Sequence, residues 1–299
     1  MRAAVVGAGI AGWAVTWHLL QKGCAVTLFD RGGGASAAST GLLHPFPGKE
    51  ARRSWRADEG MRASLALLQA ASGSKPVFSP CGILRLAVTE QQKFDFEEDS
   101  SSYLSTAIST PAMWIPEGIA VYSRPYLEEL AKLCKNAKIV HQSVSLKDLD
   151  RFDATVLACG ADILEFDECK HLPLKRVIGQ SLICQWPERL PFALLASGHI
   201  TPTENPELCQ VGSTYEHTRE PDPKKALELI DKCALFYPPA KDFKVVEIRS
   251  GVRISPKIGY RPLIAKVDPK TWVFTGLGSR GLLYHALLSK ELVDTMGTS

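Results

Sequence analysis

The chain has 299 residues, enough for two domains of ordinary size, and a chain of that length buries about three quarters of the surface its unfolded form exposes. With 45% hydrophobic and 22% charged residues it has the make-up of an ordinary globule, which excludes a disordered tail, a collagen-like repeat and a polytopic membrane protein. Thirty-five Lys and Arg against 32 Asp and Glu leave a net charge of +3, too small to argue for nucleic acid unless the cations cluster.

Eight cysteines lie far apart, with no C-x-x-C and no histidine at finger spacing, so reduced, buried thiols are expected and no metal site. The first apolar run, residues 3–6, breaks at Gly7 and is too short for a secretory leader, and no run reaches the roughly 18 residues of a membrane span. The expectation is a cytoplasmic protein. Its oligomeric state is not written in the chain.

Residues 1–31 place an apolar β-branched run, a glycine turn, an amphipathic helix and a second apolar run in succession, the order of a β-α-β unit. Gly7 permits the tight turn out of the first strand, Gly9 lets backbone approach a pyrophosphate, and Gly12 lets the helix pack close to the sheet. Ile10 and Ala11 open the helix, whose positive dipole end faces the phosphates. Asp30 closes the second strand, where an acid accepts hydrogen bonds from the ribose hydroxyls of an adenine dinucleotide and disfavours a 2'-phosphate.

Nicotinamide enzymes usually continue into another β-α-β unit. Here Arg31 is followed by GGGASAASTGLLHPFPG (32–48), a small-residue loop able to run backbone along a flat ring system. On Asp30, Arg31, Ala35, Ser36, Ser39, Thr40 and Gly41 the chain resembles the D-amino acid oxidase family of FAD-dependent oxidoreductases. The resemblance implies non-covalently bound FAD, with this loop, Leu42 included, along the pyrophosphate and flavin.

Next come an expected helix at 51–71, strands at 76–88, a helix and exposed excursion at 91–109, further strand at 113–122, a helix at 124–134 with Pro in its first turn, and apolar runs at 138–144 and 154–158. DATVLACGAD places Ala158 and Gly160 where the family has an Ala-x-Gly turn beside the cofactor, and the resemblance adds Val144. Residues 174–258 carry short apolar runs punctuated by Pro and Gly, with one helix at 223–233. The chain ends in a strand at 272–275, a glycine turn and a helix to about residue 294. In the family such a turn, here Gly278, Ser279, Arg280, Gly281 and Leu282, faces the pyrimidine edge of the flavin. The expected fold is therefore α/β: a Rossmann-like FAD-binding domain of the glutathione-reductase type (1–75, 120–168 and 255–299) and an inserted, mostly antiparallel β-sheet substrate domain (76–119 and 169–254).

Within the family, PLKRVIGQ (173–180), GHITP (198–202), VGSTYE (211–216), SGVRISP (250–256) and GLGSRGL (276–282) look most like the FAD domain of the bacterial bifunctional enzyme that makes 5-methylaminomethyl-2-thiouridine in tRNA, and next like glycine oxidase. That implies oxidation of a C–N bond alpha to a carboxylate, on the carboxymethylaminomethyl group of a wobble uridine. The alternatives are a free glycine, sarcosine or D-amino acid oxidase and, from another class, a catalytically silent flavin protein acting through interactions. Arg253 matches the carboxylate-binding arginine by its GxR context, with Arg280 as a second cation and His44 as a group near the flavin. The family commonly reads R-x-x-x-x-D-x-x-P from that arginine. This chain has Ile258 or Gly259 near the position of the acid and one extra residue before Pro262, so this loop departs from the pattern. A tRNA substrate requires cations at the rim. Lys49, Arg52, Arg53, Arg56 and Arg62 form one candidate cluster, partly neutralised by Asp58 and Glu59; Lys257, Arg261 and Lys266 form another. Tyr215 and Tyr260 are read as pocket hydroxyls or packing groups.

Overall fold

The structure, a computed structural model, describes residues 1–73, 75–96 and 111–296. Of the expected excursion at 91–109, the first part is the helix Glu90–Phe96 and the remainder lies outside the described residues.

Six strands build the sheet that carries the first glycine turn, in the order Leu263–Asp268, Thr271–Thr275, Ala154–Leu157, Arg2–Val6, Ala25–Asp30, Lys138–His141. All neighbours pair in parallel except the first two. Residues 3–6 are buried without interruption because both faces of this central strand are covered, which is why the strand reads as a continuous apolar run. Ala3 and Val5 point to one core with helices Ile10–Gln21, Ala57–Ala71, Ser123–Leu133 and Gly281–Met296, sharing it with Leu19, Leu68, Tyr126 and Leu292. Ala4 and Val6 point to the other, with Phe29, Phe152, Leu157 and Ile163.

A second sheet of seven strands runs Lys244–Pro256, Leu174–Gln185, Leu208–Gly212, His199–Pro202, Ala193–Leu195, Ile83–Leu86, Ala112–Ile115. It is antiparallel apart from Ala193–Leu195 against Ile83–Leu86. Helix Pro223–Ala234 starts on the Asp222 side chain, which accepts from the Lys224 N–H, and packs Ala226, Leu229 and Cys233 onto Leu182, Ile200 and Val211. A small sheet of Leu42–Leu43, Ile119–Val121 and Phe78–Ser79 completes the strands.

The expected elements appear within a few residues of their bounds, with one exception. The helix expected from residue 51 begins at Ala57, because Ala51 and Arg56 adopt positive φ and hold 51–56 irregular. All eight cysteines are free and five are buried. No helix among the described residues is long and apolar enough to cross a membrane.

The small-residue loop is held between the two large sheets by its own carbonyls. Ser181 Oγ donates to the Ala38 carbonyl at 3.0 Å, Thr201 Oγ1 to Thr40 at 2.9 Å, and Ser123 Oγ to Ser39 at 3.0 Å. Gly251 admits the loop from the other side, since a Cβ there would stand 2.6 Å from the Ala35 Cα. Backbone that a sheet ladder does not satisfy is thus paired by buried hydroxyls, and the loop is fixed.

Candidate active site

Between the sheets lies a cavity of about 1250 Å³, larger than the roughly 300–1,000 Å³ of a drug-sized ligand site. Both ends of the described chain reach it. Gly281 opens the last helix against Ile10, the first residue of the first helix: a Cβ on Gly281 would lie 2.9 Å from Ile10 Cδ1. The last helix is anchored by Ser64 Oγ, which donates to the Leu282 carbonyl at 2.6 Å.

At one end the glycine turn forms the wall. Gly7 has φ +103°, and a Cβ there would stand 2.6 Å from the Ala158 carbonyl oxygen, so only glycine fits. Asp30 braces this turn: its carboxylate accepts from the N–H groups of Ala8 and Gly32, both at 2.9 Å. The Ile10 N–H donates to Ser36 Oγ at 3.1 Å, which draws the small-residue loop across the helix N-terminus. Arg31 is held by Asp162 at 2.8 Å and Glu165 at 2.9 Å.

Three arginines, Arg253, Arg85 and Arg280, line the same cavity. Arg253 extends from the edge strand of the seven-stranded sheet, with its guanidinium against Gly179 of the neighbouring strand; a Cβ on Gly179 would lie 1.8 Å from one of its terminal nitrogens. One terminal nitrogen donates to the Thr214 carbonyl at 2.9 Å and Ser213 Oγ at 3.2 Å. No carboxylate pairs with Arg253 among the described residues, and burial pushes its pKa down from the ordinary guanidinium value. Arg85, itself buried, donates to the carbonyls of Phe46 and Gly48, both at 2.6 Å, and fixes the chain after His44; burial pushes its pKa down to about 10. Arg280 lies 4.1 Å from the Tyr260 ring centroid, and its Nε is buried without a partner among the described residues.

Two imidazoles sit among these cations. Burial, then Arg85 and His199, push the His44 pKa down to about 3, and its Nδ1 has no partner among the described residues. His199 Nε2 is hydrogen-bonded with Thr40 Oγ1, and burial, then Arg253 and Lys232, bring its pKa to about 3 as well. Both rings are therefore neutral at neutral pH.

Of the residues singled out in the sequence, Gly7, Gly9, Ile10, Ala11, Asp30, Arg31, Ala35, Ser36, Ser39, Thr40, Leu42, His44, Val144, Ala158, Gly160, Arg253, Gly278, Ser279, Arg280, Gly281 and Leu282 all line the cavity. Gly12 and Gly41 do not: a Cβ on Gly12 would lie 1.7 Å from the Gly7 carbonyl oxygen, and one on Gly41 1.9 Å from that of Val121, so these two serve close backbone packing. Lys49 lines the cavity, whereas Arg52 pairs with Glu50, Arg53 with Asp58, and Arg56 with Glu59 and Glu291. Sequence reading missed Arg85, Gly179 and His199. Their strands are covered on both faces over most of their length, so nothing in one strand's residues tells which neighbour its side chains meet.

Residues 2–295 match the family model described as FAD dependent oxidoreductase, DAO. The chain belongs to this family. It is an FAD-dependent oxidoreductase, and the doubly covered sheet with its inserted antiparallel sheet is the family fold. The chain is 26% identical over 361 aligned residues to the tRNA 5-methylaminomethyl-2-thiouridine biosynthesis bifunctional protein MnmC of Methylobacillus flagellatus, covering 97% of this chain and 55% of that protein. It is 25% identical to the MnmC of Thiobacillus denitrificans over the same shares. The chain thus spans about half the length of the curated relatives it matches. Among solved structures, glycine oxidase from Geobacillus kaustophilus superposes with a TM-score of 0.84 at 19% identity, covering 100% of this chain and 95% of that one. Iminodiacetate oxidase (IdaA) from Chelativorans sp. BNC1 superposes with 0.82 at 19%, covering 99% and 95%. These two are likenesses of fold.

Proposed function

We propose that the protein oxidises the C–N bond of an N-carboxymethyl amine, and that its substrate is the carboxymethylaminomethyl group of a tRNA wobble uridine. The observation that carries this reading is Arg253: a guanidinium within the cavity, against Gly179, with no carboxylate among the described residues to neutralise it. A planar fork of donors matches a carboxylate by two parallel hydrogen bonds. Support for the tRNA-borne form comes from the curated relatives, whose name states biosynthesis of 5-methylaminomethyl-2-thiouridine in tRNA.

The residues present fit FAD. Gly7, Gly9 and the N-terminus of helix Ile10–Gln21 would receive the pyrophosphate, Asp30 the ribose, and the loop from Ala35 to Leu42 with Gly278–Leu282 the ring system. The buried, unpartnered polar atoms Arg280 Nε and His44 Nδ1 line this same space. Bound there, FAD supplies hydride acceptance from the carbon between nitrogen and carboxylate, leaving an imine that water hydrolyses to the free amine and glyoxylate.

The chain's own groups orient and tune the substrate. Arg253 fixes the carboxylate, and hence the direction of the adjacent C–H bond. Arg253, Arg85 and Arg280 together disfavour a bound ammonium, so the substrate nitrogen gives up its proton more readily in this cavity than in water. His44 and His199, both neutral, add no charge to the cavity.

The test is incubation of the FAD-loaded protein with tRNA carrying the carboxymethylaminomethyl uridine, followed by nucleoside mass spectrometry and glyoxylate assay. The expected product is the aminomethyl nucleoside with one glyoxylate. Unchanged tRNA from a preparation whose flavin is bleached anaerobically by free glycine would assign the protein to free amino acids instead.

A further inference from the structure

The segment KIGYRP, residues 257–262, is where the chain departs from the family pattern, and it stands beside the cavity wall. Tyr260 rests one ring face on the guanidinium of Arg280, which lines the cavity, and is otherwise 73% exposed. Next to it the Arg261 guanidinium lies 4.9 Å from the Trp55 ring centroid, and Ile258 is 91% exposed. No acid occurs between Lys257 and Lys266. Lys257, Arg261 and Lys266 are exposed, and none has a carboxylate partner among the described residues. The other basic cluster differs: Arg52, Arg53 and Arg56 are each engaged by an acid.

We propose that Tyr260, flanked by Lys257 and Arg261, is a docking rim for an unpaired stretch of RNA, and that the arginines at 52–56 are not part of it. The inference rests on the tRNA reading above and deepens it. An aromatic face open to solvent stacks any base, and free cations beside it neutralise the phosphates that flank that base. The acid beside each of those arginines offsets its charge, so a phosphate there meets less net attraction than at Lys257 or Arg261. Because Tyr260 is stacked on Arg280, a base held on its open face lies one side-chain layer from the cavity, so the neighbouring nucleoside is the one that enters.

The experiment is binding of a synthetic anticodon stem-loop RNA, followed by fluorescence anisotropy over a range of salt concentrations, with flavin content reporting that each variant has formed its cavity. For the double variant Lys257→Ala/Arg261→Ala the slope of log K against log salt should shrink by about 1.4, roughly 0.7 for each phosphate no longer neutralised. Arg53→Ala should leave the slope unchanged. Tyr260→Ala should weaken binding about tenfold and Tyr260→Phe should restore it, because the ring and not the hydroxyl does the stacking. An unchanged slope in the double variant, a smaller slope in Arg53→Ala, or full affinity in Tyr260→Ala would each overturn the rim while leaving the tRNA reading intact. Failure of the unsubstituted protein to bind the stem-loop at low salt would remove the tRNA reading itself.

Discussion

Arg253 and Gly179 act as one unit. The guanidinium can occupy its position only because the neighbouring strand has no side chain at Gly179. Arg253→Ala should raise the KM for an N-carboxymethyl substrate by a factor of about ten or more, because a charge-assisted hydrogen-bonded pair is removed. Arg253→Lys should recover only part of this, since one ammonium cannot reproduce the fork. Gly179→Ala, which leaves the cation in place but lifts it, should also raise KM; a steady-state series on the three variants checks this, and an unaffected Gly179→Ala would show that the contact is incidental. The arginine was legible in its GxR context, as was the glycine turn around Gly7. Gly179 was not, because its partner sits on another strand at a register that one segment cannot reveal. Arg85 and His199 were hidden for the same reason: each is a polar residue on a strand whose apolar neighbours explain that strand completely.

Among the turns and helices, glycine carries two different kinds of constraint. Gly12 and Gly41 sit where a Cβ would collide with backbone, at 1.7 and 1.9 Å, while Gly33, at a φ of +83°, has nothing within 4 Å. Gly12→Ala should therefore yield protein that neither folds nor takes up flavin. Gly33→Ala should cost only about 1 kcal/mol of backbone strain and keep the colour; thermal melts and absorbance spectra of the two variants read the difference. The elements themselves were legible because the central strand, its helix and the terminal strand-helix pair each have a single environment along their length. The start of the second helix was misplaced because residues 51–56 have helical composition, but the turn set by Ala51 and Arg56 is a tertiary choice. The inward course of the loop from Ala35 to Gly41 was suggested only by its small residues. The hydroxyls that hold it, on Ser123, Ser181 and Thr201, lie far away in sequence.

Across the molecule, burial of neutral imidazoles links stability to acidity. His44 and His199 are held at about 3, and His285 at about 4, all through burial, against 6.5 for an ordinary histidine. Between those values the unfolded chain binds protons that the folded chain refuses, so this contribution to stability is complete above about pH 6.5 and is lost progressively as pH falls toward 3. Urea unfolding at a series of pH values should show a midpoint that is flat with respect to these groups above pH 7 and declines below 6.5. A double substitution at His44 and His285 should flatten the decline, and an equally steep decline would assign it to carboxylates.

The meeting of Gly281 with Ile10 has a consequence for biogenesis. During translation the turn at Gly7 and the start of the first helix emerge long before Gly281 is synthesised, so this contact cannot form until the last helix is made. Closure of the cavity that both segments line therefore follows synthesis of the last helix, whichever order the remaining elements form in.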